Sequence, residues 1–260
     1  VMRYFCHDCN YIIDNWRAQC PRCKGWRIAH HIEPETAPAP RDDTPILKLI
    51  SKVQVRTLPI YTTRIPALDS ALGGGLARGT STLFTGDPGI GKSTLLLQAI
   101  SNIAATEKCV YVSAEETDQQ ITRRARRIGL GKSRAHVFQC DDVDTIINLL
   151  ESESVRVCVV DSIQAIESTQ IDYPKGSIPQ IRECALQLVN ASRSLNVTTF
   201  LVCHVAKDGT LAGPRTIEHL ADAVLYLEDA RKYDTPGETD PASTGMVEIY
   251  AEKNRNWPIM

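Results

Sequence analysis

Between residues 81 and 227 the chain repeats one hydropathic pattern: a short apolar run, a polar turn, then a longer stretch with apolar residues at helical spacing. The β-prone runs are 81–85, 109–113, 136–139, 156–160, 197–203 and 223–227, and helical stretches at 117–128, 143–150 and 178–195 fall between several of them. This alternation predicts an α/β domain with a largely parallel sheet covered by helices and with ligands at the carboxyl ends of its strands. Upstream, Arg64 to Gly79 predicts a short helix with proline near its start and a glycine-rich exit. Downstream, Met246 to Ala251 is one more strand-like run.

The first 45 residues are different. Residues 33–45 are proline-rich and polar, without a periodic apolar face, and are expected to form a semi-rigid linker. Before it, residues 1–32 carry Cys6-x2-Cys9 and Cys20-x2-Cys23, two knuckles that can each offer two thiolates to one tetrahedral Zn²⁺. Redox pairs or disulfides are the alternatives, and no thioredoxin-like βαβ pattern surrounds these cysteines. A zinc ribbon of this size would take its folding energy from the metal. Trp16 and Trp26 are expected to pack on it. The domain plan is therefore ribbon 1–32, linker 33–45 and main domain 46–260.

Composition narrows the class only a little. With 260 residues, 43% of them hydrophobic, the chain can hold one large domain and a small one. A net charge of -2 excludes a wholly basic nucleic-acid coat, so nucleic-acid contacts would come from local patches. No membrane-length apolar run occurs, and a cytoplasmic location without membrane contact is expected. The other five of the nine cysteines are scattered singly, and those in apolar runs are expected as buried filler.

The chemistry concentrates where strands end. Gly86-Asp87-Pro88-Gly89-Ile90-Gly91-Lys92-Ser93-Thr94 lies between the first run and an apolar helix, which is the context of a Walker A loop. Its glycines let backbone N–H groups turn toward phosphates of ATP, with the helix N-terminus adding its positive end. Lys92 would reach the β- and γ-phosphates, and Ser93 would ligate Mg²⁺. Val155 to Asp161 has the form of a Walker B strand, with Asp161 as a second Mg²⁺ ligand. Glu115, just past the 109–113 run, can activate the attacking water or can simply stabilise the N-terminus of the following helix; position alone leaves both open. His204 can sense the γ-phosphate or be an ordinary polar strand end. The segments 164–179 and 206–215 are expected as loops, where Tyr173, Lys175, Lys207 and Arg215 offer stacking and charge to nucleic acid or to solvent. Arg123, Arg124, Arg126 and Arg127 are expected as solvated or intersubunit charge.

Taken together, these stretches resemble the RadA/Sms family of bacterial recombination ATPases, a branch of the RecA-like motors. The resemblance is carried by the four-cysteine ribbon, Leu72-Gly73-Gly74-Gly75-Leu76, the Walker A loop, Tyr111-Val112-Ser113-Ala114-Glu115-Glu116, His204 to Pro214, and Lys253-Asn254-Arg255. It implies a RecA-like core in a hexameric ring on single-stranded DNA, coupling DNA-stimulated ATP hydrolysis to branch migration in recombination and repair, with recombinases or other repair proteins as partners. It also implies that Glu115 is the catalytic base, that His204 relays nucleotide state to the two loops, and that Lys253 and Arg255 reach the neighbouring subunit's phosphates. The family continues this last motif with Phe-Gly, whereas Asn256-Trp257 follows here, and the family's Lon-protease-like domain is not present in the 260 residues. The alternative is a nucleotide-gated regulatory protein of the same fold, with slow, DNA-insensitive hydrolysis and a ribbon that recruits a protein.

Overall fold

The computed structural model describes residues 3–6, 9, 12–13, 19–25, 28–31, 49–52, 59–204, 213–230 and 246–256, with only the backbone at 3–5, 12–13, 28–31 and 213–215. The linker 33–45, Trp16, Trp26, Lys207 and Trp257 lie outside the described residues. The chain divides into two compact units, Val1–Arg56 and Thr57–Met260.

In the first unit, β1 (Arg3–Cys6), β2 (Ile12–Ile13) and β3 (Ile28–His31) form a small antiparallel sheet in the order β2-β1-β3. Cys6 ends β1, and Cys20 and Cys23 sit in a tight turn. There the Cys20 amide donates to the Gly25 carbonyl at 2.8 Å, and Lys24 adopts φ 60°.

The second unit opens with α1 (Pro66–Ala71) between the two strands of a small antiparallel sheet, β4 (Ile60–Tyr61) and β5 (Leu76–Ala77), a pairing the sequence pattern did not predict. Pro66 suits the start of α1, since its missing N–H has no helical partner there. The main sheet is built from β6 (Ser81–Gly86), β7 (Cys109–Ser113), β8 (His136–Gln139), β9 (Val157–Asp161), β10 (Thr198–Val202), β11 (Ala223–Asp229) and β12 (Val247–Asn254). Its order is β12-β11-β6-β10-β9-β7-β8, parallel throughout except for the antiparallel edge strand β12.

Helices α2 (Lys92–Ile103), α3 (Asp118–Arg127), α4 (Val143–Ser152) and α5 (Ile178–Leu195) cover the sheet. Successive side chains in a strand alternate in direction, so each parallel strand feeds two cores. Val110, Val112, Cys158, Val160 and Leu201 join the α4 and α5 side, while Cys109, Tyr111, Val157, Val159 and Phe200 join the α2 and α3 side. Local signals set the helix ends. Thr117 and Gln120 form a reciprocal capping box on α3, the Asp142 carboxylate accepts the Thr145 amide at 2.8 Å on α4, and Asn196 closes α5 in a left-handed conformation.

The order has one consequence for the site. The chain runs from β6 outward to β7 and β8, returns through β9 and β10, and then crosses to β11 on the other side of β6. The carboxyl ends of β6, β10, β9 and β7 therefore line up side by side around the crevice where doubly wound sheets bind ligands.

Candidate active site

At the end of β6 the chain approaches β11 closely. A Cβ on Gly86 would lie 2.3 Å from the Leu227 carbonyl oxygen, and Gly86 has φ 143°, so glycine is needed on both counts. Gly89 and Gly91 take φ 84° and 106°, which curls the loop back into α2. Gly91 caps α2 without a side-chain hydrogen bond, leaving the first-turn N–H groups of a twelve-residue helix for an anionic ligand. Lys92 is 3% exposed and its ammonium donates to the carbonyls of Gly86 at 2.7 Å and Asp87 at 2.9 Å. Burial pushes its pKa down, and the nearby Asp161 works the other way. Uncapped amides and a buried, loop-anchored ammonium make a cradle that fits a triphosphate.

Two strands away, Asp161 ends β9 at 8% exposure. Its carboxylate accepts the Tyr111 hydroxyl from β7, and the Ser93 side chain lies against the same phenol. Burial, and then Asp161 itself, hold the Tyr111 hydroxyl well above its ordinary pKa, so it stays a donor. A buried carboxylate beside a hydroxyl and a phosphate cradle is a hard-oxygen donor set suited to Mg²⁺.

Glu115 lies beyond the end of β7, exposed, and the buried Ser162 hydroxyl donates to it at 2.6 Å. The neighbouring Glu116 is bound instead by Arg124, which removes that arginine from the solvated set expected for the helix. His204, half-buried just past β10, has its pKa lowered by burial and then by Lys92. Its Nδ1 and the Gln164 Oε1 are buried without a hydrogen-bond partner among the described residues, while the Gln164 amide donates to the His204 carbonyl and to Cys203 Sγ, both at 3.1 Å.

Lys92, Ser93, Asp161, Glu115 and His204 thus share one edge of the sheet. Tyr111, Ser162 and Gln164 join them by hydrogen bonds to Asp161, Glu115 and His204, and none of the three was assigned a role in the site from the sequence. They are recognisable only once the register pairs Ser113 with Asp161 and Leu201 with Val160.

The other expected residues lie elsewhere. Lys253 and Arg255 sit where β12 pairs with the start of β11, Lys253 opposite Val224. Through β11, Lys253 is level with Leu83, about 10 Å of strand from the Walker A loop, and Arg255 with Ser81 at the amino end of β6, about 17 Å from it. There the Lys253 ammonium donates to the carbonyls of Glu218 and Ala221 at 2.8 and 2.7 Å, just past α6 (Gly213–Glu218). Arg255 donates to the His219 carbonyl at 2.9 Å and approaches Asp222, which also accepts Arg193 at 2.9 Å and the Ser81 amide at 3.0 Å.

In the 164–179 segment Tyr173 is 55% exposed, and Lys175 is ion-paired with Asp141 and Glu167. The segment is also fastened from below. The buried Gln180 side chain bonds the backbone of Ser168 and the carbonyls of Ile171 and Tyr173, so the expected loop is fastened to α5 at three residues. Arg215 falls in α6.

In the N-terminal unit, Sγ of Cys6 and Cys23 are 3.5 Å apart, Sγ of Cys9 and Cys20 are 3.7 Å apart, and all four lie within 4.8 Å of one another. A tetrahedron with ordinary Zn–S bonds has sulfur–sulfur edges of about 3.8 Å, so these thiols fit zinc.

Comparison with known proteins agrees with this fold. Residues 47–210 match the family model described as AAA domain. The chain is 40% identical over 231 residues to the DNA repair protein RadA of Pseudomonas aeruginosa and 35% identical over 229 residues to that of Aquifex aeolicus. It is 32% identical over 249 residues to the RadA of Bacillus subtilis. These alignments cover 86%, 88% and 89% of this chain but 51%, 52% and 52% of the relatives, so the chain spans about half the length of the curated relatives it matches. Among solved structures, a KaiC-like protein from Pyrococcus horikoshii OT3 superposes with TM-score 0.60 at 22% identity, covering 78% of this chain and 92% of that one. A DnaB-like replicative helicase gives 0.62 at 18% identity, covering 78% of this chain and 58% of that one. The chain belongs to the AAA-domain family, in its RadA branch, with a RecA-like P-loop ATPase fold.

Proposed function

We propose that this chain hydrolyses ATP to drive a DNA transaction of recombination and repair. The observation that carries the first half is the convergence of Lys92, Asp161, Glu115 and His204 at one sheet edge, in the order a P-loop site requires. The loop amides and Lys92 hold the triphosphate. Ser93 and Asp161 would hold Mg²⁺, which when bound neutralises charge on the β- and γ-phosphates. Glu115 orients and deprotonates the attacking water, and His204 reads whether the γ-phosphate is present through its buried Nδ1, which has no partner among the described residues.

The DNA half draws support from the relatives named for DNA repair and from the DnaB-like helicase of the same fold. Single-stranded DNA would pass the loops that follow β9 and β10, where Tyr173, Lys175, Lys207 and Arg215 lie in sequence. Lys175 must release its carboxylates to take part. Lys253 is engaged by the Glu218 and Ala221 carbonyls and Arg255 lies at the amino end of β6, so they would act on a nucleotide only across a subunit boundary, as in a hexameric ring. Residues 1–32 form a zinc ribbon, 33–45 a linker and 46–260 the motor domain.

The intrachain bonds that occupy Lys253 and Arg255 favour the second reading, a nucleotide-timed regulatory protein with slow hydrolysis. ATPase measured with and without single-stranded DNA, alongside oligomer size, separates the two. The motor reading requires stimulation together with assembly, and an equal, slow rate in both conditions rejects it. Mixing Lys92→Ala with Arg255→Ala chains tests the shared site, since a site completed in trans regains activity in mixed assemblies.

A further inference from the structure

We infer that Tyr111 is a positioning residue for the metal half of this site, aiming the Asp161 carboxylate toward Ser93. The inference rests on Ser93 and Asp161 being the Mg²⁺ ligands, as proposed above.

Tyr111 is fully buried in the middle of β7, packed within the core that α2 and α3 cover. Packing alone asks for a ring there, and phenylalanine supplies one, as Phe84 and Phe200 do in the same core. A hydroxyl in that position is unfavourable unless it is bonded. Here it donates to Asp161 Oδ2 on the adjacent strand, and among the described residues it is the hydrogen-bond donor found on that carboxylate.

The geometry follows from the register. Ser113 pairs with Asp161 and Tyr111 with Val159, so the phenol rises two residues along β7 toward the end of β9. The last torsion of an aspartate is broad when nothing holds it. With Oδ2 engaged by Tyr111, the carboxylate plane is set and Oδ1 is left for a ligand. The Ser93 side chain lies against the same phenol, so one hydroxyl organises a ligand from the Walker A helix and one from the neighbouring strand. The same two strands exchange a second contact in the opposite sense, with Ser162 from the β9 end holding Glu115 from the β7 end. Each carboxylate is therefore fixed by a hydroxyl of the other strand.

Hydrogen-bond partners of metal-ligating carboxylates usually change metal affinity by about 10- to 100-fold when removed. Tyr111→Phe removes the hydroxyl and keeps the ring. The measurement is equilibrium binding of a fluorescent ADP analogue to the full chain, titrated with MgCl₂ and repeated in EDTA, with circular dichroism as a check on folding. Tyr111→Phe should raise the Mg²⁺ concentration at half-effect by about 10- to 100-fold, leave binding in EDTA unchanged, and add nothing in an Asp161→Asn background. A Mg²⁺ midpoint that stays put in Tyr111→Phe but moves in Asp161→Asn overturns the inference alone, as does an additive double variant. A midpoint that stays put in Asp161→Asn overturns the metal assignment and the inference with it.

Discussion

Replacing Ser162 by alanine removes one oxygen from a fully buried site and leaves Glu115 without its 2.6 Å donor. A hydrogen bond to an ionised group contributes about 1.5–3 kcal/mol. Glu115 is exposed, so water offers a substitute partner and the lower end of that range applies. If Ser162 holds Glu115 in the orientation that accepts a proton from the attacking water, about 1.5 kcal/mol is lost in the transition state, and kcat falls about tenfold. Nucleotide binding involves neither residue, so KM for ATP stays unchanged. Steady-state ATPase at saturating Mg²⁺ gives both numbers, and Glu115→Gln gives the reference. Ser162→Ala should have no further effect in that background. A raised KM with normal kcat refutes the reasoning, because Ser162 would then support binding. A faster Ser162→Ala enzyme refutes it as well, because the contact would then restrain Glu115 away from the water.

Four further outcomes follow from the site and its surroundings. Lys92→Ala should abolish hydrolysis and nucleotide binding while leaving circular dichroism unchanged; retained binding in a fluorescence titration would contradict its place in the cradle. His204 is held below its ordinary pKa chiefly by burial, so the unfolded chain binds more protons than the folded one as pH falls below about 6.5, and stability should drop on that acid side. Unfolding midpoints against pH should show this slope in the natural chain and a shallower one in His204→Gln. Lys253→Ala releases two carbonyls and should destabilise the domain by about 1–3 kcal/mol in urea titrations, an effect absent if those bonds do not form in solution. Purified chain should carry one zinc ion by elemental analysis, and Cys9→Ser or Cys20→Ser should reduce that content; full retention in either variant would reject the four-thiolate site.

Local chemistry was readable from the chain because it is encoded by neighbours in sequence. The Walker A spacing from Gly86 to Thr94 dictates a loop and an open helix N-terminus whatever surrounds it. The two CxxC pairs bring four sulfurs together because a short turn and two strands leave them little choice. The apolar runs and helical stretches likewise placed β7, β8, α4 and α5 nearly to the residue; for β7, burial on both faces of a parallel strand demands such a run.

Strand order and register are different in kind. They bring residues about 50 positions apart into contact, and no local spacing records them. Tyr111 and Ser162 had no assigned role until β7 and β9 became neighbours. Lys175 looked available for phosphate until its carboxylates, 34 and eight residues upstream, closed on it. Lys253 and Arg255 were expected to reach a neighbouring subunit's phosphates, and only the antiparallel return of β12 shows which carbonyls beside α6 they meet within their own chain. The sequence alone determined which groups could hold a nucleotide and a zinc ion. The tertiary structure decided which of them share an edge, because that depends on hydrogen-bonded pairing across the sheet rather than on distance along the chain.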